Sequence, residues 1–256
     1  MKNFLIALLL LACVLPSFSQ DLTIAAAADL RPALEEIAAK FKADSGITIR
    51  ASYGSSGNFF QQLQNGAPFD VFLSANTDYS KKLEAAGLTT PDSYYEFARG
   101  SIVLMVPYDS KIDLSEGLHA LLTPAVRKIA IADPSHAPYG QAAVAAIKSM
   151  KLYDWVAPHL VNGENVSQAA SFVLSGAADA GIVAKSLALA PAAAKRAKFV
   201  DIPGNLYPPI VQAMVVLKSS KNQQTAMKFQ AYMRSDGAKK ILEQYGFGIP
   251  EAAAAK

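Results

Sequence analysis

Short continuous apolar runs alternate along this chain with longer stretches in which apolar side chains recur every three or four positions. Residues 21–28 form such a run and predict a buried strand, and residues 30–44 have the helical spacing. The same order returns with strands predicted at residues 47–53 and 71–75, each followed by a helix. A regular β-α-β-α order is typical of a parallel sheet that is covered by helices on both faces.

A second alternation of the same kind begins near residue 100. Strands are predicted in its apolar runs, at residues 101–107, 128–132, 180–184 and 199–202. Helices are predicted between them, at residues 118–122, 141–150, 166–175 and 186–190. A return strand at residues 210–217 and helices at residues 225–234 and 237–245 then complete the pattern.

The second unit is inserted into the first, and this order predicts a two-lobed α/β fold. We expect residues 20–98 and 206–256 to form lobe 1 and residues 99–205 to form lobe 2, each a mostly parallel sheet flanked by helices. Ligands of open α/β sheets bind at the carboxyl ends of the strands, and clefts between lobes are common binding sites. The cleft between the lobes is therefore the predicted site.

Residues 1–19 have the pattern of a secretory signal peptide. A basic start precedes an apolar run at residues 4–15, and small residues then allow cleavage after Ser19. The apolar run is too short to span a membrane as a helix. A lipoprotein signal is the alternative, because the residues that end at Cys13 loosely match a lipidation motif. With either signal, the mature protein is expected outside the cytoplasm, in the periplasm.

Composition narrows the classes of function. With 256 residues, 52% of them hydrophobic and 18% charged, the chain can bury a sizeable core. The net charge of +3 is too close to neutral for a nucleic-acid or membrane-surface protein. Cys13 is the only cysteine, so cleavage after residue 19 leaves no disulfide, thiol chemistry or cysteine metal site. We expect a monomer without a cofactor.

The turn Gly54-Ser-Ser-Gly57 joins a predicted strand to the following helix. Hydroxyl side chains and free backbone N–H groups at a helix N-terminus attract anions. The same residues are also those of ordinary capping, in which Ser55 or Ser56 caps the helix and Gly57 relieves the turn. Taken alone, this turn leaves both interpretations open.

Three further strand-to-helix junctions have similar chemistry. They are Ala27-Ala-Asp29, Pro138-Tyr-Gly140 and Glu164-Asn-Val-Ser-Gln168. Four helix N-termini that face one cleft would form a site of neutral donors, suited to a fully ionised oxyanion. Each junction alone is compatible with plain capping, but the four together favour an oxyanion site.

The chain also resembles a known family, in eight stretches that occur in order over nearly the whole mature sequence. They are Ala25-Ala-Ala-Ala-Asp-Leu30, Tyr53-Gly-Ser-Ser-Gly-Asn-Phe-Phe60, Asn65-Gly-Ala-Pro-Phe-Asp-Val-Phe-Leu-Ser-Ala75, Ala130-Ile-Ala-Asp-Pro134, Ala137-Pro-Tyr-Gly140, Gly163-Glu-Asn-Val-Ser-Gln-Ala169, Gly176-Ala-Ala-Asp-Ala-Gly181 and Tyr245-Gly-Phe247. This pattern is similar to that of the periplasmic molybdate-binding proteins, the solute receptors of molybdate ABC transporters. The resemblance implies a type II periplasmic binding-protein fold that closes on a tetrahedral oxyanion, molybdate or tungstate, and delivers it to a membrane permease.

The resemblance further implies which residues bind the ligand. The Ser-Ser-Gly position falls on Ser56, with its hydroxyl and backbone N–H, and the end of the first strand falls on Ala28 and Asp29. Tyr139 and Val166 would act through main-chain N–H groups, so their side chains would matter less. Ser56 is the residue expected to contribute most.

Two positions depart from the family pattern. Members commonly place a hydroxyl or amide residue at the end of the first strand, where this chain has Ala28 and Asp29. An ionised carboxylate would repel a dianion, so Asp29 caps its helix, pairs with Arg31, is protonated, or changes the specificity. Some relatives have a tyrosine where this chain has Ala184, so that contact is absent here.

Other functions remain as alternatives. A binding protein for sulfate, phosphate or a phosphonate-like oxyanion would use the same donors. A secreted serine hydrolase could combine Ser55 or Ser56 with His136, but the turn lacks the Gly-x-Ser-x-Gly elbow, and His136 is expected on the surface or in a loop. The three histidines, His119, His136 and His159, are scattered without ligand spacing, so no cation site is predicted.

Overall fold

The computed structural model describes residues 21–250, so the predicted signal peptide, Cys13 and residues 251–256 lie outside the described part. Its strands are β1 Leu22–Ala27, β2 Ile49–Gly54, β3 Val71–Ser74, β4 Tyr95–Gly100, β5 Ile102–Pro107, β6 Ile129–Ala132, β7 Leu160–Gly163, β8 Ala180–Ala184, β9 Ala197–Asp201 and β10 Ile210–Val216. Its α-helices are α1 Arg31–Ser45, α2 Ser56–Gln64, α3 Thr77–Ala85, α4 Pro138–Ser149, α5 Tyr153–Val156, α6 Val166–Leu174, α7 Lys185–Leu189, α8 Gln223–Met233 and α9 Asp236–Gln244. Short 3₁₀ segments lie at Ala28–Leu30, Leu114–Leu122, Ala157–His159 and Gly204–Leu206.

The strands form two sheets with the same plan. The first has the order β2-β1-β3-β10-β4, and the second has the order β7-β6-β8-β5-β9. In the first sheet β1 pairs in parallel with β2 and β3, and in the second β6 pairs in parallel with β7 and β8. β3, β6 and β8 are buried along their whole length. Burial on both faces explains why these strands have continuous apolar sequences rather than alternating ones.

The predicted α/β class is confirmed, but each sheet is mixed rather than mostly parallel. Strand β10 pairs antiparallel with β3 and β4, and strand β5 pairs antiparallel with β8 and β9. Both strands follow directly on a crossing from the other sheet. A crossover helix is what brings a strand back parallel to its neighbour, and neither β5 nor β10 is preceded by one.

The chain crosses between the sheets twice. It passes from β4 to β5 through Ser101 alone, and it returns through residues 202–209 between β9 and β10. Since β4 stays in the first sheet as far as Gly100, the first crossing lies slightly after the boundary predicted at residue 98. The division into two lobes at residues 98 and 205 remains a prediction.

Helix α4 begins three residues before the predicted start at residue 141. Pro138 occupies its first turn, where the missing N–H of proline costs no hydrogen bond. As a result, Tyr139 and Gly140 belong to the helix N-terminus rather than to a preceding loop. Among residues 21–250, no helix combines the length and apolar character needed to cross a membrane.

Candidate functional site

The five residues predicted to bind a ligand lie around one small cavity between the two sheets. Ala28, Asp29, Ser56, Tyr139 and Val166 all line this cavity, whose volume is about 10 Å³. That volume is close to the smallest that can hold one water molecule. The fold therefore brings together residues from the 3₁₀ segment after β1 and from α2, α4 and α6, and their role in binding remains a prediction.

The two serines at the N-terminus of α2 have different roles. Ser55 is the N-cap, and its Oγ accepts the N–H of Asn58 at 3.3 Å. Ser56 is the first helical residue, and its Oγ accepts the backbone N–H of Ala75 at 2.9 Å. Because that bond uses a lone pair, the hydroxyl proton of Ser56 stays available as a donor. The backbone N–H of Ser56 also has no acceptor within its own helix.

Gly57 is required by a close approach to the other half of the molecule, not by the turn. Its N–H donates to the carbonyl oxygen of His136 at 3.0 Å. A Cβ at this position would lie 2.5 Å from that oxygen. The side chain of His136 is only 21% exposed, and its Nδ1 lies 2.8 Å from Ser55 Oγ. As expected, His136 lies in a loop, the one between β6 and α4, but its side chain is half-buried and bridges the two halves.

The side chain of Tyr139 has a larger role than its expected main-chain contact. It is 2% exposed, and its hydroxyl donates to Oδ2 of Asp29 at 2.8 Å. The same hydroxyl accepts the Nε2–H of Gln212 at 3.2 Å. Burial and the adjacent Asp29 carboxyl raise the pKa of Tyr139 well above its ordinary value, so it stays protonated and acts as a donor.

Asp29 neither caps a helix nor pairs with Arg31. It lies in the 3₁₀ segment after β1, and the N-cap of α1 is Leu30, without a side-chain hydrogen bond. Arg31 lies 3.8 Å from Glu35 instead and stacks over the ring of Tyr53, 4.3 Å from its centroid. The first two explanations for an aspartate at this position are therefore wrong.

The carboxyl of Asp29 is fully buried. Burial raises its pKa from 3.8 to about 6, although hydrogen bonds from Gln212 and Tyr139 lower it in part. Oδ2 accepts both of these bonds, the one from Gln212 Nε2 at 2.5 Å. Oδ1 has no hydrogen-bond partner among the described residues.

Gln212 was not among the predicted residues. It is fully buried in β10 and provides a neutral donor to both Asp29 and Tyr139. Its signal in the sequence is that it is the single polar residue within the apolar run at residues 210–217. A lone polar side chain in a buried strand needs a partner, because an unpaired one is costly.

Helix α6 contributes the third N-terminus, which three hydrogen bonds hold in place. Asn165 is the N-cap and accepts the N–H groups of Ser167 and Gln168 at 3.0 and 3.1 Å. Val166, the first residue of α6, keeps an N–H without an acceptor in the helix. Ser167 Oγ also donates to the carbonyl of Ala28 at 2.9 Å. The last contact joins the second half of the molecule to the end of β1.

A second hydroxyl makes a similar link. Ser186 in α7 is buried, and its Oγ donates to the backbone carbonyl of Asp29 at 2.8 Å. Together with Ser167 and His136, it holds the second half against the first around the cavity. Ser167 was predicted only as a member of the junction at residues 164–168, and neither His136 nor Ser186 was predicted as an oxyanion-binding residue, because contacts between distant segments leave no local pattern in a sequence.

The arrangement is suited to an anion with several acceptor oxygens. Ser56, Tyr139 and Val166 lie in the first turns of α2, α4 and α6, where backbone N–H groups point out of the helix and the dipole is positive. Within residues 21–250, no group of three or more His, Cys, Asp or Glu residues is placed to hold a metal ion. These N–H and hydroxyl donors are neutral, so they can bind the charge of an anion without a cationic counterion.

Size alone does not identify this site. A larger groove of about 990 Å³ is bordered by α1, α6 and the segment after α7, and it extends to Tyr245. None of the five predicted residues lines it. The small cavity is the one at which the helix N-termini meet.

Ser55, His136 and Asp133 are arranged in part like a hydrolase triad. The Nε2 atom of His136 is 3.7 Å from Asp133 Oδ2, which is longer than a hydrogen bond. Ser55 is 4% exposed, and its oxygen already accepts the capping N–H of Asn58. The geometry is that of a capped helix bridged to a neighbouring loop.

Comparison with known proteins identifies relatives that are all solute-binding proteins by their names. A family model described as bacterial extracellular solute-binding protein matches residues 22–248. The molybdate-binding protein ModA of Azotobacter vinelandii is 34% identical over 240 residues, which cover 94% of either chain. A putative ABC transporter substrate-binding lipoprotein of Bacillus subtilis, YvgL, is 36% identical over 228 residues, covering 88% of this chain and 85% of that one.

Comparison with solved structures finds similar proteins. The periplasmic molybdate-binding protein of A. vinelandii superposes with a TM-score of 0.84 at 33% identity, covering 90% of this chain and 100% of that chain. The sulfate-binding protein SubI of Mycobacterium tuberculosis superposes with a TM-score of 0.72 at 19% identity, covering 91% of this chain and 88% of that one. The second match shows a shared fold only.

Proposed function

Because the chain belongs to the bacterial extracellular solute-binding protein family, we propose that it is the receptor of an ABC importer and binds a tetrahedral oxyanion. Molybdate is the first candidate, with tungstate as a close analogue. Relatives named as molybdate-binding proteins, at 34% and 33% identity over more than nine-tenths of this chain, support this ligand. Membership of a family of binding proteins does not favour an enzyme.

One structural observation supports the proposal most strongly. The N-termini of α2, α4 and α6 converge on one cavity, which Ser56, Tyr139 and Val166 line. Neutral N–H and hydroxyl donors from three directions match the distribution of oxygens on a tetrahedral anion. Ser56 would donate through both its hydroxyl and its backbone N–H.

Binding would be linked to closure of the two halves. The cavity is bounded from both sheets, and its volume of about 10 Å³ leaves little space for exchange with solvent. We propose that the halves separate to admit the anion and that the membrane permease recognises the closed form. The protein would act as a monomer in the periplasm, after export by its N-terminal signal.

Calorimetric titration tests the ligand directly. We expect molybdate and tungstate to bind tightly to the mature protein, whereas sulfate and phosphate bind much more weakly. Sulfate binding as tight as that of molybdate would contradict the proposed specificity. No heat with any of the four anions would contradict an oxyanion receptor altogether.

The carboxyl of Asp29 favours a second candidate ligand, a protonated oxyanion. An ionised carboxylate in the cavity could accept a hydrogen bond from an oxyanion that carries its own proton, such as hydrogen phosphate. In that case phosphate would bind more tightly than molybdate in the same titrations.

A further inference from the structure

We propose that Asp29 binds the oxyanion as a neutral carboxylic acid, so that one proton is taken up from solution for each anion bound. The inference rests on the proposed function, since it concerns the protonation of one side chain in the same site. Asp29 then acts as a hydrogen-bond donor to the ligand, not as a negative charge that repels it.

The hydrogen bonds of Asp29 determine where the proton is placed. Oδ2 already accepts from Tyr139 and Gln212, whereas Oδ1 is buried and has no partner among the described residues. A proton would therefore be carried by Oδ1. There it converts an unpaired acceptor into an O–H donor on a residue that lines the cavity.

No neighbouring charge stabilises the ionised form. No ion pair involves Asp29 within residues 21–250. The side chains in hydrogen-bond contact with Asp29 are neutral: Tyr139 of α4, Gln212 of β10 and Ser186 of α7. The basic side chains on the adjoining elements contact other residues: Arg31 of α1 lies beside Glu35, Lys185 of α7 donates to Asp201, and His136 before α4 contacts Ser55.

Binding of a dianion then determines the protonation state of Asp29. Burial, partly offset by the hydrogen bonds from Gln212 and Tyr139, already raises the pKa of Asp29 to about 6, so roughly one molecule in ten is neutral at pH 7 before the anion binds. A second negative charge in the same cavity raises this pKa further. Protonating Asp29 costs about tenfold in affinity at pH 7, which is less than the repulsion between two desolvated like charges.

Two measurable consequences follow. Affinity for molybdate should be nearly constant below about pH 6 and should fall about tenfold for each pH unit above it. At pH 7.5, titrations in buffers of different ionisation enthalpy should report uptake of about one proton for each molybdate ion bound.

Two variants separate this role from a structural one. Asp29→Asn keeps the shape and places an N–H donor where the acid would carry its proton, so it should bind without proton uptake and with affinity nearly independent of pH. Asp154→Asn removes an exposed carboxylate and should retain the proton uptake and pH profile of the wild-type protein.

The outcomes are distinguishable. Tight molybdate binding without proton uptake by the wild-type protein overturns the inference and leaves the proposed function intact, as does persistence of the uptake in Asp29→Asn. Preferential binding of phosphate without proton uptake also overturns it, because the ligand then brings the proton. Absence of molybdate binding overturns the proposed function and the inference together. The pH profile of the wild-type protein provides a test even if Asp29→Asn does not fold.

Discussion

The Oγ atom of Ser55 lies 2.8 Å from the Nδ1 atom of His136, although 81 positions separate the two residues in sequence. Ser55 caps α2, which follows a strand of the first sheet, and His136 precedes α4, which follows a strand of the second. The contact therefore joins the two halves directly beside the cavity. Its loss should affect the closed form more than the stability of either half.

We expect His136→Ala to weaken molybdate binding by about two- to tenfold, the value of one hydrogen bond between the halves. Calorimetric titration at fixed pH measures this change. His119→Ala is the matched control, because His119 is exposed in a 3₁₀ segment of the second half. Equal affinities for the two variants would show that the bridge does not contribute to closure.

Ser56→Ala should have a larger effect on binding. It removes a hydroxyl donor to the anion and also leaves the N–H of Ala75 without its acceptor. We expect affinity for molybdate to fall by about ten- to a hundredfold, since hydrogen bonds to charged groups are the stronger ones. Ser219→Ala, at an exposed position, should bind as the wild type does. Normal binding by Ser56→Ala would remove this residue from the site.

Gly57→Ala tests the close approach of α2 to His136. The new Cβ would meet the carbonyl oxygen of His136 at 2.5 Å, and such overpacking costs about 1–3 kcal/mol. Separation of the halves relieves this contact. The Cβ would also lie 2.9 Å from the hydroxyl of Tyr79 in the same half, at the far end of a side chain that can shift. Affinity should therefore fall clearly, while the melting temperature of the ligand-free protein falls only slightly. Gly204→Ala is the control, because a Cβ there meets nothing within 4 Å. A large fall in the melting temperature of the ligand-free protein would instead indicate a local packing defect.

Asp29 should also make the stability of the ligand-free protein depend on pH. Burial raises the pKa of Asp29 from 3.8 to about 6, so the folded state binds the proton more tightly than the unfolded state. The free energy of unfolding should therefore fall as pH rises from about 4 to about 6, by about 3 kcal/mol in total. In Asp29→Asn this part of the pH dependence should be missing, while Asp154→Asn should retain it. Urea unfolding at a series of pH values measures both.

The apolar pattern predicted eight of the ten strands among residues 21–250. It missed β4 and β7, which lie at sheet edges, are only partly buried and carry polar residues, so they have no continuous apolar run. β3 and β8 were predicted almost at their observed bounds, because a strand buried on both faces has a continuous apolar sequence. The start of α4 was missed, since periodicity does not reveal the first turn of a helix. Pro138 was the available signal, as proline is favoured at that position.

The environment of Asp29 was predicted only in part. Its proximity to the site followed from its position after a strand, but its partners Tyr139 and Gln212 lie 110 and 183 positions away. Spacing along a chain does not indicate which distant polar side chains meet. The isolated position of Gln212 in an apolar strand was the one local indication that a buried polar contact existed.

Ser101 alone links β4 to β5, whereas residues 202–209, with prolines at 203, 208 and 209, link β9 to β10. One residue spans only about 3.5 Å, so this link is a tether of fixed length, while the longer one can absorb changes in separation. A rotation of the backbone at Ser101 reorients every strand of one sheet relative to the other. A circularly permuted protein should therefore have its new termini within residues 203–208, because a break at Ser101 would cut the shorter of the two links between the sheets.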